Sequence, residues 1–298
     1  MSKTVSVRVP ASSANLGAGF DVLSLALQLH LEVRGRESSG NRIVWRGIGK
    51  SDVPLGPANL IARATQEPFN GWSRPLGGID LEVTNAIPIG RGLGSSAAAL
   101  IAGVLIGARL RGLSMTPQRL LELALPFEKH GDNLAAALYG GFCIVALENG
   151  GARINTLAWP AGWRAVVFVP ASVSPTHELR RLVPTHPPIQ DAVFNLGRVA
   201  QWVLAVSAAD GSLLRSSMDD RLHQPGRAIA YPYLDDMIAA AEQAGALGAA
   251  LSGAGGSVIA IVERNAAAVA RAMDALARKR SVQGSAVTLR IAARGALT

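Results

Sequence analysis

Cysteine is almost missing from this chain: Cys143 is the only one in 298 residues. A single cysteine cannot close an intramolecular disulfide, so a disulfide scaffold is excluded and a reducing compartment is expected. Cys143 stands in the apolar run Phe142-Cys143-Ile144-Val145, the setting of a small core residue rather than of a nucleophile. No histidine and cysteine set has zinc spacing, which removes a zinc site. No Gly-x-Ser-x-Gly elbow is present to carry a serine hydrolase. Long apolar runs are missing too. Met1 to Pro10 alternates valine with polar residues and has no leader-like apolar core. Ala97 to Ala108 falls far short of the roughly 20 residues that span a bilayer. Ala244 to Val262 is long enough but is broken by five glycines and two serines. A soluble cytoplasmic protein without a membrane partner is the expectation.

Charge of one sign is in surplus. Lysine and arginine number 29 against 21 acidic residues, a formal net charge of +8. That surplus suggests an anionic partner: nucleic acid, an anionic membrane or a small phosphorylated ligand. Aromatic residues make up only 5%, and the basic residues are scattered rather than striped, which weighs against nucleic acid. Hydrophobic residues reach 49% and charged ones only 17%, too apolar for a disordered chain. At about 150 residues per domain the length suggests two domains.

Periodicity places the elements. Strands are expected at Val5–Val9, within Leu23–Val33, and at Arg42–Trp45, Ile79–Val83, Phe142–Leu147, Ala165–Val169, Ala249–Leu251, Val258–Val262 and Ala286–Ala292. Helices are expected at Asn59–Phe69, Ser95–Leu110, Thr116–Ala124, Asp132–Leu138, Leu234–Ala244 and Asn265–Arg280, with a helix pair over Asp191–Leu214 and a short turn at Glu178–Leu182. Thr116 is a plausible N-cap with Pro117 in the first turn. The hydrophilic cluster Glu148-Asn149-Gly150-Gly151 suggests a boundary between residues 1–150 and 151–298. Elements intermix without a βαβ rhythm or a repeat, which favours two α+β domains.

Three glycine-bearing loops carry the chemistry. In Pro88-Ile89-Gly90-Arg91-Gly92-Leu93-Gly94-Ser95-Ser96-Ala97-Ala98, alternate glycines let the backbone turn tightly before two serines open an apolar helix. Free N–H groups at that helix start suit a polyphosphate, and a serine hydroxyl can reach a phosphate oxygen or its Mg²⁺. No lysine is present, so this is not a Walker A loop; a plain turn capping a core helix is the competing account. Ser252-Gly253-Ala254-Gly255-Gly256-Ser257 is either a packing bend or a backbone nest facing the first loop. The loop Ser12 to Asp21 holds Asn15 and Asp21 among small residues. His130-Gly131-Asp132-Asn133 opens a helix, as its cap or as a substrate contact. Glu122 is either a metal ligand or a solvated carboxylate. Arg180 and Arg227 suit a carboxylate or phosphate, unless they are ordinary surface arginines.

Together these segments resemble the small-molecule kinase superfamily of galactokinase, homoserine kinase, mevalonate kinase and phosphomevalonate kinase, the GHMP kinases. Pro88 to Ser96 matches its phosphate loop Pro-x-x-x-Gly-Leu-Gly-Ser-Ser, and Leu251 to Gly255 resembles its C-terminal glycine motif. Val7 to Gly17 with Gly19-Phe20-Asp21, His130-x-Asp132-Asn133, Gly140-Gly141-Phe142, Thr176-x-Glu178-x-Arg180 and Asp220 to Gln224 with Arg227 are most similar to its homoserine kinase family. The resemblance implies a two-domain α+β GHMP kinase fold, with an N-terminal ribosomal protein S5 domain 2-like part and a C-terminal ferredoxin-like α/β sandwich. It implies that ATP lies on Pro88 to Ala98 with Asn59 near the adenine, and that Ser96 and Glu122 hold Mg²⁺. Asn15, Asp21, His130, Asn133, Arg180 and Arg227 would surround homoserine. His130, Asp132 and Asn133 would stand at the reacting end, Asp132 matching the general base of other branches and Asn133 positioning the hydroxyl. Relatives are commonly homodimers. The alternatives are a kinase of threonine, mevalonate or an isoprenoid-precursor alcohol and, from another class, a basic nucleic-acid binder. Two positions depart from the pattern: Gly256 replaces a usual proline, and Glu128-Lys129-His130-Gly131 replaces Glu-Gly-His-Pro.

Overall fold

A computed structural model describes residues 3–66, 75–128, 130–148, 151–173 and 176–296, with the side chains of Thr176 and His177 left out. The first sheet has six strands: β1 (Thr4–Asn15), β2 (Gly19–Glu37), β3 (Arg42–Gly47), β4 (Ile79–Asn85), β5 (Phe142–Glu148) and β6 (Gly151–Leu157). Its order is β3-β4-β2-β5-β6, with β1 paired to β2. In β1 the buried Val5, Val7 and Val9 alternate with exposed Ser6 and Arg8, as the valine pattern predicts. The strand then continues through Ser12 and Ser13, which pair with Ala26 and Leu25 beyond a bulge at Pro10/Ala11. The predicted loop over Ser12–Asp21 therefore shrinks to a turn. Small polar residues enter the sheet because their hydroxyls find partners there.

Four helices accompany this sheet: α1 (Leu60–Gln66), α2 (Ser95–Leu110), α3 (Pro117–Glu128) and α4 (Asp132–Tyr139); α2 and α4 lie on β1 and β2, α3 meets β6, and α1 packs on α2. Helix α2 is buried along most of its length, which is why its sequence is apolar on every side. Gly103 lets α1 cross it closely; a Cβ there would lie 2.5 Å from the Ala64 Cβ and from the Ile61 carbonyl oxygen. Thr116 Oγ1 accepts from the Arg119 N–H at 3.2 Å, the expected cap of α3, and that helix runs on past Ala124 to Glu128. The predicted end of α1 at Phe69 lies outside the described residues.

The second sheet is β10-β7-β9-β8, built from β7 (Arg164–Pro170), β8 (Gly248–Leu251), β9 (Val258–Val262) and β10 (Gly284–Leu289), all neighbours antiparallel. Between and after these strands come α5 (Thr176–Arg180), α6 (Ile189–Ala208), α7 (Leu214–Ser217), α8 (Gln224–Ala228), α9 (Leu234–Gln243) and α10 (Ala266–Lys279). The expected helix pair over Asp191–Leu214 is one long helix that ends at Ala209, whose φ is +53°. The boundary expected at residue 150 falls between two paired strands. Strands β5 and β6 pair from Phe142↔Leu157 to Glu148↔Gly151, so the polar cluster joins two strands of one sheet and that sheet continues to Leu157. Asn149 and Gly150 themselves lie outside the described residues. No described helix is long and apolar enough to cross a membrane.

Candidate active site

The two glycine loops interlock backbone to backbone. Gly90, Gly92 and Gly94 all have positive φ, between +66° and +80°. A Cβ on Gly92 would lie 2.1 Å from the Ser252 carbonyl oxygen, and one on Gly255 would lie 2.2 Å from the Gly92 nitrogen. Glycine is required here by close approach as well as by the left-handed backbone. Ser252 Oγ lies 2.8 Å from both the Gly92 carbonyl and Ser13 Oγ. Gly94 ends the first loop at the start of α2 with no side-chain cap, which leaves the N-terminal N–H groups of a 16-residue helix open to an anion. Arg91, the loop's one cation, is not free to meet a phosphate. Its Nε, Nη1 and Nη2 donate to the carbonyls of Pro170, Ile89 and Ala171 at 2.6–2.8 Å, tying the loop to the end of β7.

Beside this platform lies a polar cluster assembled from both halves of the chain. Asn15, in the left-handed region at φ +70°, donates from Nδ2 to the Gly253 carbonyl (3.0 Å) and accepts the Asp21 N–H (3.1 Å). That turns the Asp21 carboxylate toward Arg180, which grips it with two bonds of 3.1 and 2.5 Å. The same guanidinium approaches His130 Nε2 at 3.3 Å. Arg227 is 2% exposed, and its Nη1 donates to the Gly253 carbonyl at 3.0 Å. Its buried Nε has no hydrogen-bond partner among the described residues. Burial pushes Arg227 down to about 10, while Asp21 works against the drop and Arg180 adds to it. Phe20 supports the pair: the Arg180 and Arg227 guanidinium carbons lie 5.2 and 5.5 Å from its ring centre, and His223 stacks on it at 5.3 Å.

His223 is fully buried. Its Nε2 lies 2.9 Å from the Gly17 carbonyl and its Nδ1 3.0 Å from Arg227 Nη1. Nε2 must therefore donate and Nδ1 accept, which is the neutral ring. Burial, followed by the Arg227 charge, pushes its pKa down to about 4. Asp220 anchors this region by accepting from Asn195 Nδ2 and from the N–H groups of Leu222, His223 and Gln224, at 2.6–3.0 Å.

Asp132 and Asn133 stand at the N-terminus of α4, but neither caps it. The cap is Gly131, and Asp132 Oδ1 instead accepts the Asn133 N–H at 2.6 Å. Asn133 Oδ1 accepts from Ser12 Oγ at 2.8 Å and sits against Gly94, at the end of the first glycine loop. Burial and then the nearby Asp21 charge raise Asp132 to about 7.

A mostly apolar cavity of about 310 Å³ adjoins the loop, walled by Leu31, Trp45, Pro54, Ile61 and Ile89 and reaching Gly90, Ser95 and Ser96. Asn59 lines it, but its amide is engaged: Nδ2 donates to the Pro54 carbonyl (2.8 Å) and Oδ1 accepts the Ile61 N–H (3.0 Å). Glu122 lies on α3, paired with Arg119 at 3.1 Å; no hydrogen bond joins it to Ser96. Sequence reasoning did not single out Ser12, Phe20 or Asn195. Phe20, lying between Gly19 and Asp21, was in view as a motif letter without a role.

The family model described as GHMP kinases N terminal domain matches residues 58–141, and that described as GHMP kinases C terminal matches residues 205–279. The homoserine kinase of Moorella thermoacetica is 39% identical over 277 residues, covering 93% of this chain and 94% of that one. The homoserine kinase of Parasynechococcus marenigrum is 40% identical over 275 residues, covering 90% and 87%. Among solved structures, the homoserine kinase of Cytophaga hutchinsonii superposes with a TM-score of 0.88 at 30% identity, over 98% of this chain and 96% of that one. The L. major mevalonate kinase, solved with R-mevalonate, shares the fold with a TM-score of 0.72 at 18% identity, over 96% of each chain.

Proposed function

The chain belongs to the GHMP kinases and, within them, to the homoserine kinase family, and from that premise we propose how its residues carry out the transfer. The enzyme uses ATP to phosphorylate the side-chain hydroxyl of L-homoserine, giving O-phospho-L-homoserine, a step toward threonine. The carrying observation is one juxtaposition: a carboxylate and two arginines, Asp21, Arg180 and Arg227, gathered beside the uncapped start of α2.

The ATP phosphates lie along Pro88 to Ala98, held by backbone N–H groups, since Arg91 is committed to carbonyls. The base enters the apolar cavity that Asn59 shapes. Ser96 and Glu122 would hold Mg²⁺. One hydroxyl and one carboxylate fit an ion that takes its other ligands from phosphate and water. Glu122 would leave Arg119 to do so. The ion would neutralise charge on the phosphates.

Homoserine brings an ammonium and a carboxylate. Asp21 takes the first, and Arg180 and Arg227 take the second. A zwitterion thus exchanges the internal Asp21–Arg180 pair for two ion pairs with the substrate. Mevalonate has no ammonium and would strand Asp21, which disfavours it. Asn15 and His130 hold Asp21 and Arg180 in place. Asn133, beside Gly94, directs the substrate hydroxyl toward the γ-phosphorus. An O–P bond forms, the bond from the γ-phosphorus to the β–γ bridging oxygen breaks, and the hydroxyl proton is released. Catalysis is positioning and charge matching. Asp132, whose Oδ1 accepts the Asn133 N–H, is given no proton-transfer step in this reading. The partners are the two small molecules and a second copy of this chain. A coupled ADP-release assay over homoserine, threonine, serine and mevalonate tests the reading. Homoserine should give the highest kcat/KM, and a better value for another alcohol would overturn the substrate while leaving the kinase.

A further inference from the structure

Where β6 gives way to β7 lies a cavity of about 630 Å³. None of the residues assigned above to ATP, Mg²⁺ or homoserine lines it. Small-molecule sites typically measure roughly 300–1,000 Å³, so the space is of ligand size. Its apolar wall is aromatic. The Trp159 indole N–H donates to the Trp163 carbonyl at 3.0 Å, and the Trp159 ring meets Trp163 edge-on at 5.6 Å and Phe142 at 6.2 Å. Trp163 is buried, whereas Trp159 keeps part of its surface exposed. A ring held by three contacts with a face still open is a stacking platform that needs little further ordering.

The charge in this cavity is of one sign. Arg164, the first residue of β7, and Arg290, just after β10, both line it, and no aspartate or glutamate does. Among the described residues neither guanidinium has a hydrogen-bond or ion-pair partner. Both are carried on fixed backbone. Arg164 pairs with Val262 in the second sheet, and the Arg290 carbonyl accepts the Gln28 N–H of the first at 2.9 Å. Tyr139 and Thr156 bring hydroxyl-bearing side chains to the same wall. A guanidinium without an acidic neighbour matches a carboxylate or phosphate brought by a ligand.

We propose that this cavity is a second ligand site, for a small molecule that joins a flat aromatic ring to a carboxylate or phosphate. The ring lies on Trp159 and the anionic group on Arg164 and Arg290. A neutral ring or a bare anion satisfies only half of the site. The site stands apart from the assigned chemistry: Tyr139 ends α4, and Asn133 lies at the other end of that helix, about 9 Å along its axis.

Isothermal titration calorimetry on the full chain is the test, with ADP, Mg²⁺ and homoserine saturating so that the nucleotide cavity and the Asp21–Arg180–Arg227 cluster are filled. The probes are indole-3-acetate and 1-naphthyl phosphate, with tryptophol as the uncharged counterpart of the first. At least one anion should bind one site per chain with a Kd below about 0.5 mM, and tryptophol at least about tenfold more weakly than indole-3-acetate wherever that anion binds. Acetate and inorganic phosphate at equal concentration should not displace the bound probe. Arg164→Gln combined with Arg290→Gln should weaken the anion at least about tenfold, and each single variant about threefold. Both side chains are exposed, so folding and homoserine turnover without probe stay unchanged. No saturable binding of either anion up to about 5 mM would overturn the proposal. So would tryptophol binding as tightly as indole-3-acetate, or anion affinity that the double variant leaves unchanged.

Discussion

At the scale of single residues, the cluster is held by an ion pair that forms before substrate arrives. Asp21 and Arg180 are 159 positions apart and pair directly. That pairing could not be read from the sequence, because nothing local at the start of β2 or in α5 announces the other. The residue types were legible and their mutual arrangement was not. If Asp21 receives the ammonium, Asp21→Asn should raise the KM for homoserine about 10- to 100-fold, the worth of a charge-assisted hydrogen bond. The KM for ATP should stay within about twofold if, as proposed, that site is built from backbone groups. Initial-rate kinetics with each substrate varied separate the two. Asp132 makes a different prediction. Its pKa is raised from an ordinary 3.8 to about 7, first by burial. The folded state therefore holds a proton that the unfolded chain releases. Its contribution to stability is fully present below about pH 4 and is lost as pH rises through about 7. Asp132→Asn cannot ionise, so the wild-type Tm should fall relative to the variant between about pH 4 and pH 7 and level off above. Turnover of that variant should remain within a few-fold of wild type; a loss of several orders of magnitude would restore Asp132 as the base.

At the scale of elements, the strongest periodicities survived and the weakest did not. Helix α2 and strand β9 begin and end where their apolar runs do, at Ser95–Leu110 and Val258–Val262. Strand β6 went unseen because it is a largely exposed edge strand, and Ala152 is its only buried residue. What no pattern could indicate is how the two glycine loops are held against each other. Two tyrosines from the start of α9 do part of this: the Tyr231 hydroxyl donates to the Ala254 carbonyl at 3.1 Å, and that of Tyr233 to the Gly256 carbonyl at 2.8 Å. Gly256, the departure from the family's proline, is explained here. A Cβ on it would lie 2.5 Å from the Tyr233 hydroxyl oxygen. Loop geometry should thus be sensitive in a graded way. Tyr233→Phe removes one neutral hydrogen bond of about 1 kcal/mol and should raise the KM for ATP about fivefold, with kcat little changed. Gly92→Ala must force a Cβ against the Ser252 carbonyl at a backbone φ of +80°, and should cost both ATP affinity and several degrees of Tm. Equal effects from the two variants would mean that the loops are not coupled as described.

At the scale of the molecule, the +8 charge is a surface property rather than the recognition device. Ion pairs such as Arg8–Glu32, Arg36–Asp80, Arg119–Glu122, Arg153–Glu148 and Arg221–Asp191 lie on separate elements, each cation facing a local acid. The cations that do converge, Arg180 and Arg227, belong to the second half of the chain, and they meet Asp21 and Phe20 of the first only because the halves close on each other. Arg91 works along the same seam, binding its loop to β7 through Pro170 and Ala171 rather than facing outward. Two domains were legible from length, and the α+β character from the intermixed elements. The seam was not, since it consists of backbone contacts that any small residues could make. Recognition through N–H groups and a handful of buried charges has a measurable signature. Long-range attraction between exposed charges is screened within about 10 Å at 0.1 M salt, whereas contacts inside a cleft are not. The KM for ATP, at fixed free Mg²⁺, should therefore rise by less than about threefold between about 50 mM and 500 mM NaCl. A nucleic-acid binder that neutralised several phosphates would instead lose about three to five orders of magnitude in affinity over a narrower range. Retention of duplex DNA or RNA at low salt, falling with that steep slope, would return the surplus of arginine to the role of a binding surface.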